Sequence, residues 1–366
     1  MSPRRAANKS KAQPRAYTVL YNSENHWSVI TQMKGSSWPR VFPYCVLNVC
    51  LMLALTYFKF DGIDAFEISD QGHNFVTLVM SFLLVSRVTM ALARYGEART
   101  HIGSMLRGAR ELIQYATVYT GVENDDAAAK EWRNEVTYRT LALVRCTVAV
   151  ISYPTTKIPS WDIPELNGVE KDDIKGNIFL NPATLRYAHE VRSEYEENLR
   201  VPIRLAYMLR KSIHGQEHRL GKPLHISREL KIMSAVDGFM NGFYGIRKFM
   251  TTPVPFPLIQ MARTFLFLYI FTVPFVLVSD ESSTFAHCFT VFLLTYGFFG
   301  LEVVAIELDN PFGEDDNDFN VLALANSAIE DIYLFIRDCD GPEWADLLLE
   351  RMRPKQRQSY QTGQLV

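Results

Sequence analysis

The sequence predicts an all-α membrane protein with four transmembrane helices per chain, continuous with a helical cytosolic region. Three observations carry this. Four apolar runs are nearly free of charge, and a charged stretch of helical pattern, longer than any of them, separates the second from the third. A dense acidic turn, Asn310 to Phe319 (NPFGEDDNDF), follows the last. A bilayer core takes roughly 20 apolar residues per helix, somewhat fewer where flanking side chains reach the interface. The chain therefore divides into a basic N-terminal segment (1–40), spans one and two (41–95), a helical cytosolic region (96–250), spans three and four (251–306), and the acidic turn with a helix and polar tail (307–366).

The first span lies in an uncharged run from Val41 to Phe58. Pro43 is tolerated there because a proline near a helix start removes no needed hydrogen bond. The second runs from Phe75 to Ser86 and on past Arg87 to Ala93, with Leu78, Phe82 and Ser86 at i, i+4 and i+8 on one helix face. That stripe is either ordinary helix packing or the lining of an aqueous path. Arg87 and Arg94 follow in the same helix, and charge in lipid is costly enough to make them functional suspects unless they lie at the inner interface. From Glu97 to about Lys248 the candidate helices are 97–119, 126–152, 183–213 and 225–249, with a proline-rich break at Pro154, Pro159 and Pro164. Alternate prolines at 253, 255 and 257 exclude regular helix and read as an elbow into the third span, Thr264 to Ser279. The fourth, Ser282 to Leu301, carries only His287, a packing residue or a proton relay. The polar tail after Pro354 is expected to be disordered.

Orientation follows from the flanks. Residues 1–40 hold seven Lys/Arg against one acid, Glu24, whereas Asp61, Asp64, Glu67 and Asp70 face Lys59 between the first two spans. The positive-inside tendency puts the N-terminus on the cytosolic side, and four spans return the C-terminus there. The basic start also resembles an organelle transit peptide, though it is short and poor in Ser, and no secretory signal precedes Val41. A net charge of −2 says little about partners.

Between Glu307 and Asp318 stand six carboxylates (Glu307, Asp309, Glu314, Asp315, Asp316, Asp318) and no Lys or Arg. Oxygen ligands at such spacing suit Ca²⁺, which accepts 6–8 oxygens in a forgiving geometry. The turn is not an EF-hand: counted from Asp315, Asn320 and Asn326 occupy the positions that need Gly and Glu. The alternative is a solvated acidic turn at the N-terminus of a helix starting near Val321. His214 and His218, at i and i+4, are either a zinc pair lacking a third ligand or a solvated helix end. The five cysteines are scattered without a CxxC and read as small buried residues. No nucleophile elbow, P-loop or dinucleotide fingerprint occurs, so hydrolase and nucleotidase readings have no starting point. The surface charge is mixed in sign, which gives a nucleic-acid partner none either.

With these features together, the chain resembles the bestrophin family of anion channels over roughly Lys34 to Ile336. Asn310 to Phe319 is similar to the calcium clasp of the animal members. Ser81-Phe82-Leu83-Leu84 followed by Arg94-Tyr95-Gly96-Glu97-Ala98-Arg99 resembles the family's second helix, with Gly96 in place of an aromatic. Pro257-Leu258 and Lys34-Gly35-Ser36 resemble the segments opening the third and first spans. The resemblance implies a homopentamer around one central pore, with a hydrophobic neck at Leu78, Phe82 and Ser86 and a cytosolic aperture at Leu220. Ser86 stands where the family has an apolar or aromatic residue, which implies a wider or wetter inner neck. It also implies calcium held by the carbonyls of Glu307 and Asn310 and the carboxylates of Asp315 and Asp318, with a further carbonyl near Val19.

The expected function is passive conduction of chloride, with bicarbonate a second candidate, activated by Ca²⁺ and located in the plasma membrane or an organelle membrane. Two rivals stand beside it: a calcium-independent channel of the chloroplast thylakoid type, and a non-conducting membrane scaffold or modulator. An enzyme is the reading with least support, since no catalytic constellation emerges.

Overall fold

A computed structural model describes residues 19, 21–58, 70–121, 126–178, 194–278, 283–313 and 315–352. The turn between the first two spans, Glu314, most of the basic start and the tail after Pro354 lie outside these residues. Among them every regular element is helical. The chain forms two units, Tyr17–Arg99 with Thr251–Phe319, and Thr100–Met250 with Asn320–Val366.

The first unit contains the short helix α1 (His26–Thr31), α2 (Trp38–Phe58), the first part of α3 (Asp70–Thr120), and, by residue numbers, α9 (Phe256–Leu277) and α10 (Thr284–Asp309). Helices α2, α3, α9 and α10 are each long and apolar enough to cross a membrane. The elbow over Thr252–Pro255 leaves α9 to start at Phe256. Val41, Cys45 and Met52 of α2 pack with Met80 of α3, Ile270 and Val273 of α9, and Val291 and Phe299 of α10. Aromatic rings lock the seam: Trp38 stacks on Tyr296 at 4.2 Å and Tyr44 on Phe299 at 4.7 Å.

One polar device lies in this apolar core. Pro274 inside α9 has no amide to give the carbonyl of Ile270, four residues earlier. The buried Asn48 of α2 supplies the missing donor, its Nδ2 lying 3.1 Å from that carbonyl and 2.8 Å from Thr295 Oγ1. In lipid a freed backbone group needs such a partner.

The second unit holds the rest of α3, then α4 (Ala127–Thr156), α5 (Gly168–Ile178), α6 (Glu194–Asn198), α7 (Val201–His214), α8 (Ile226–Thr251), α11 (Val321–Asp340) and α12 (Pro342–Met352). Three differences from expectation have physical reasons. The second span and the helix expected at 97–119 are one 51-residue helix, because Gly96 and Gly103 cost helix stability without ending it. Pro154 lies inside α4, only two residues before its end, where the chain turns through Lys157 in a left-handed conformation. In place of one helix at 183–213 the described part shows α6 and α7, with Pro202 in the first turn of α7; 179–193 lie outside the described residues.

Helices α3 and α8 approach at two glycines. A Cβ on Gly108 would fall 2.6 Å from the Phe239 amide nitrogen, and one on Gly242 equally close to that of Met105. Helix α11 begins at Val321, its first turn capped by the Asn320 side chain on the Ala323 amide and not by a carboxylate. Arg133 of α4 is fully buried and grips Asp340 at the end of α11, and its Nη1 donates to Thr120 Oγ1 at the end of α3.

Candidate pore lining and acidic turn

On α3 the buried residues Met80, Leu84, Arg87 and Ala91 recur at helical spacing and form its packed face. Leu78 (69% exposed) and Phe82 (72%) project from the opposite face, and Ser86 is half-buried beside it. Leu78 and Phe82 are therefore not packed among the described residues of this chain.

Arg87 does not belong to that stripe. Its guanidinium is buried against α10, where it forms a two-pronged ion pair with Asp309 and approaches Glu302 at 3.9 Å. Arg263 of α9 meets the other oxygen of Glu302 at 2.9 Å. Arg94 donates to the backbone carbonyls of Asp309 and Thr252. These charges tie three helices together near the end of α10. His287 is buried in α10.

Asp309 ends α10, and the acidic turn begins one residue later. The turn closes on itself: Phe319 donates its amide to Pro311 O, and Asp318 Oδ2 accepts from the Asp315 amide at 2.7 Å. Gly313 leaves room for that carboxylate, since a Cβ there would lie 2.7 Å from Asp318 Oδ2. Tyr95 of α3 supports the turn, its hydroxyl donating to Asn317 O and its ring packing on Phe319 at 4.4 Å.

The turn is also latched to the segment before α2. Asn317 Nδ2 donates to Gly35 O at 3.0 Å and to Glu307 Oε2 at 2.8 Å. Arg40 bridges Glu307 at 3.0 Å and Asp315 at 2.9 Å. Gly35 has φ +71°, a left-handed conformation natural to glycine, and a Cβ there would strike Val19 at 2.7 Å and Asn317 at 3.1 Å. Val19 thus stands beside the turn. The structure brings together Glu307, Asp315 and Asp318, with Val19 beside Gly35 and Asn310 as the C-cap of α10. Sequence reasoning missed Arg40 and Asn317 as members of the cluster; the signal for Arg40 was its place in Lys34–Arg40, the cations nearest the first span.

Among the described residues no three carboxylate, imidazole or thiol groups converge as a metal site. The chemistry of the cluster nonetheless suits a hard cation in which carbonyls supply part of the shell. Burial, with the charges of Asp315 and Glu307, pushes the Asp318 carboxyl up to about 6 against the opposing pull of the Asp315 amide and Arg40.

In the second unit Leu220 is buried at 5% exposure, while its neighbours His218, Arg219 and Lys222 are exposed. His214 pairs with Glu229 of α8 at 3.0 Å, and His218 is exposed.

Four membrane-length helices around an apolar core, with a charged latch at one end of the bundle, define a multi-span integral membrane protein. The chain belongs to the bestrophin family: the family profile described as "Bacterial/Fungal Bestrophin protein" matches residues 18–333. Among curated relatives, it is 23% identical over 291 residues to a voltage-dependent anion channel-forming protein of Synechocystis, covering 79% of this chain and 85% of that one. It is 25% identical over 309 residues to a protein of the same description from Nostoc, covering 83% and 90%. The solved bestrophin homolog of Klebsiella pneumoniae shares the fold at TM-score 0.65 and 18% identity, over 81% of this chain and 98% of that one.

Proposed function

We propose that the chain is one subunit of a passive anion channel, a homopentamer conducting chloride, with bicarbonate a second candidate. The observation that carries this is the unpacked apolar face of α3, where Leu78 and Phe82 stand exposed opposite a well-packed face. Such a face in a membrane helix is covered by lipid or by matching faces around a pore. The names of the relatives, anion channel-forming proteins, favour the pore. Five Phe82 rings would present positive edges to an anion shedding part of its water, and an apolar neck of this kind closes by dewetting.

Glu307 and Asn310 through their carbonyls, and Asp315 and Asp318 through their carboxylates, would hold a calcium ion, with a further carbonyl from near Val19. The ion contributes positive charge among carboxylates that otherwise repel one another. A second reading has its own observation: Arg40 already bridges Glu307 and Asp315, so an internal cation balances the turn. A channel open without calcium follows from that.

The test is anion current from purified protein in planar bilayers, with cytosolic-side free calcium stepped from chelated to micromolar. Current that appears with calcium supports channel and clasp together. Current that persists in chelator keeps the channel and assigns balance of the turn to Arg40. Absence of anion flux at every calcium concentration refutes the channel and leaves a scaffold.

A further inference from the structure

The second unit carries a basic cleft that the channel reading does not use. Its volume is about 440 Å³, and its wall is built by α4, α5, α7 and the turn after α7. Arg204 and Lys211 lie seven residues apart on one face of α7, Arg139 comes from α4, and Arg219 follows the 3-10 turn Gly215–His218. Among the described residues Asp173 of α5 is the one carboxylate lining it. Two of the four cations are balanced: Arg139 by Glu135, and Arg204 by Asp173 at 3.1 Å. Lys211 and Arg219 are exposed and have no ion-pair partner among the described residues. The cleft thus keeps two unbalanced cations, Lys211 and Arg219, which an anion would join.

We propose that this cleft binds an oligophosphate, a ligand carrying two or more linked phosphoryl groups. A single chloride offers one charge and no directional acceptors, whereas each phosphoryl group offers oxygens that match the planar fork of Arg, with Lys as a mobile point charge. The cleft falls in the size range of small-molecule sites, large enough for several phosphoryl groups. Arg204 is pre-oriented by Asp173 and by the Tyr207 ring, whose centroid lies 5.5 Å from its guanidinium carbon. The side chains free to close on a ligand are Lys211 and Arg219.

The same chemistry reaches a protein as a soluble oligophosphate or as a multiply phosphorylated lipid headgroup, and the experiment separates them. Full-length protein in detergent is titrated with inorganic tripolyphosphate by calorimetry. In parallel, protein in neutral-lipid nanodiscs with and without a bisphosphorylated inositol lipid is tested for tripolyphosphate binding. Saturable binding is expected, weakening as salt rises and falling about tenfold in Lys211→Ser/Arg219→Ser, with an unchanged melting temperature because both residues are exposed. Binding abolished by the inositol lipid alone assigns the cleft to the headgroup. No binding in either arm, or binding indifferent to the double substitution, overturns the proposal. The readout needs no current, so its failure leaves the channel reading standing, and the reverse holds.

Discussion

Replacing Asp340 by Asn is expected to be the most damaging single polar change in the second unit. The Arg133 side chain is 1% exposed and that of Asp340 0%, and the guanidinium spends its donors on both carboxylate oxygens and on Thr120 Oγ1. Asparagine keeps the volume and removes the charge, stranding a buried guanidinium that cannot lose its proton. Breaking a buried pair from one side costs about 3–5 kcal/mol. For a unit of this size, roughly 2–4 °C of melting temperature per kcal/mol makes that a drop of about 6–20 °C. Removing both partners, as Arg133→Met with Asp340→Leu, leaves no uncompensated charge and is expected to restore most of the loss. The assay is thermal unfolding of detergent-solubilised protein followed by circular dichroism. A drop below about 3 °C in Asp340→Asn, or a double variant as unstable as the single one, would refute the reasoning.

Asn48→Ala is expected to lower stability by about 1 kcal/mol by stranding the Ile270 carbonyl, and by clearly less in a Pro274→Ala background, where the helix regains its own donor; equal losses in both backgrounds would remove Asn48 from that role. Phe82→Ala is expected to change anion selectivity while leaving the oligomer intact on size exclusion, and loss of assembly would make Phe82 a packing residue. Arg40→Ala and Asp315→Ala are expected to move the calcium response in opposite directions, the first vacating the cation's place and the second removing a ligand; current insensitive to both would return the turn to a purely structural role. The His214 imidazolium is stabilised first by its hydrogen bond to Glu229 and then by that charge, so its pKa is raised above 6.5. Its contribution is fully present below the unfolded pKa and fades as pH rises through the folded one. The melting difference between wild type and His214→Gln is therefore expected to be largest below pH 6.5 and to shrink as pH rises above it; a difference growing with pH would invert the assignment.

The four spans and the acidic turn were legible because each is written in consecutive residues: long uncharged runs and six carboxylates in twelve positions. The face of Leu78 and Phe82 was legible as a period, but only the structure shows that the opposite face, Met80 to Ala91, is the packed one. Arg87 read as a pore or interface charge because its partners, Glu302 and Asp309, are more than 200 residues away. Arg40 and Asn317 escaped for the same reason: local spacing carries no signal for pairs closed by the fold. Asn48 looked like a stray polar residue until Pro274, on another helix, explained it. Leu220 was placed by loop similarity alone, which says nothing about the direction of a side chain, and it is buried.

The latch between Arg40 and Asp315 spans 275 residues of chain. During synthesis α2 is made long before α10, so Arg40 and Gly35 wait at the membrane surface, and Asn48 within the bilayer, without the groups that complete them. Arg40 and Gly35 stay without these partners until the turn behind the last span has left the ribosome, while Asn48 is completed as α9 and then α10 are inserted. Closing so long a loop is slow but costs little more entropy than closing one half as long. The latch is thus a late event that reports completion: a chain truncated before α10 keeps the Arg40 cation without Glu307 and Asp315.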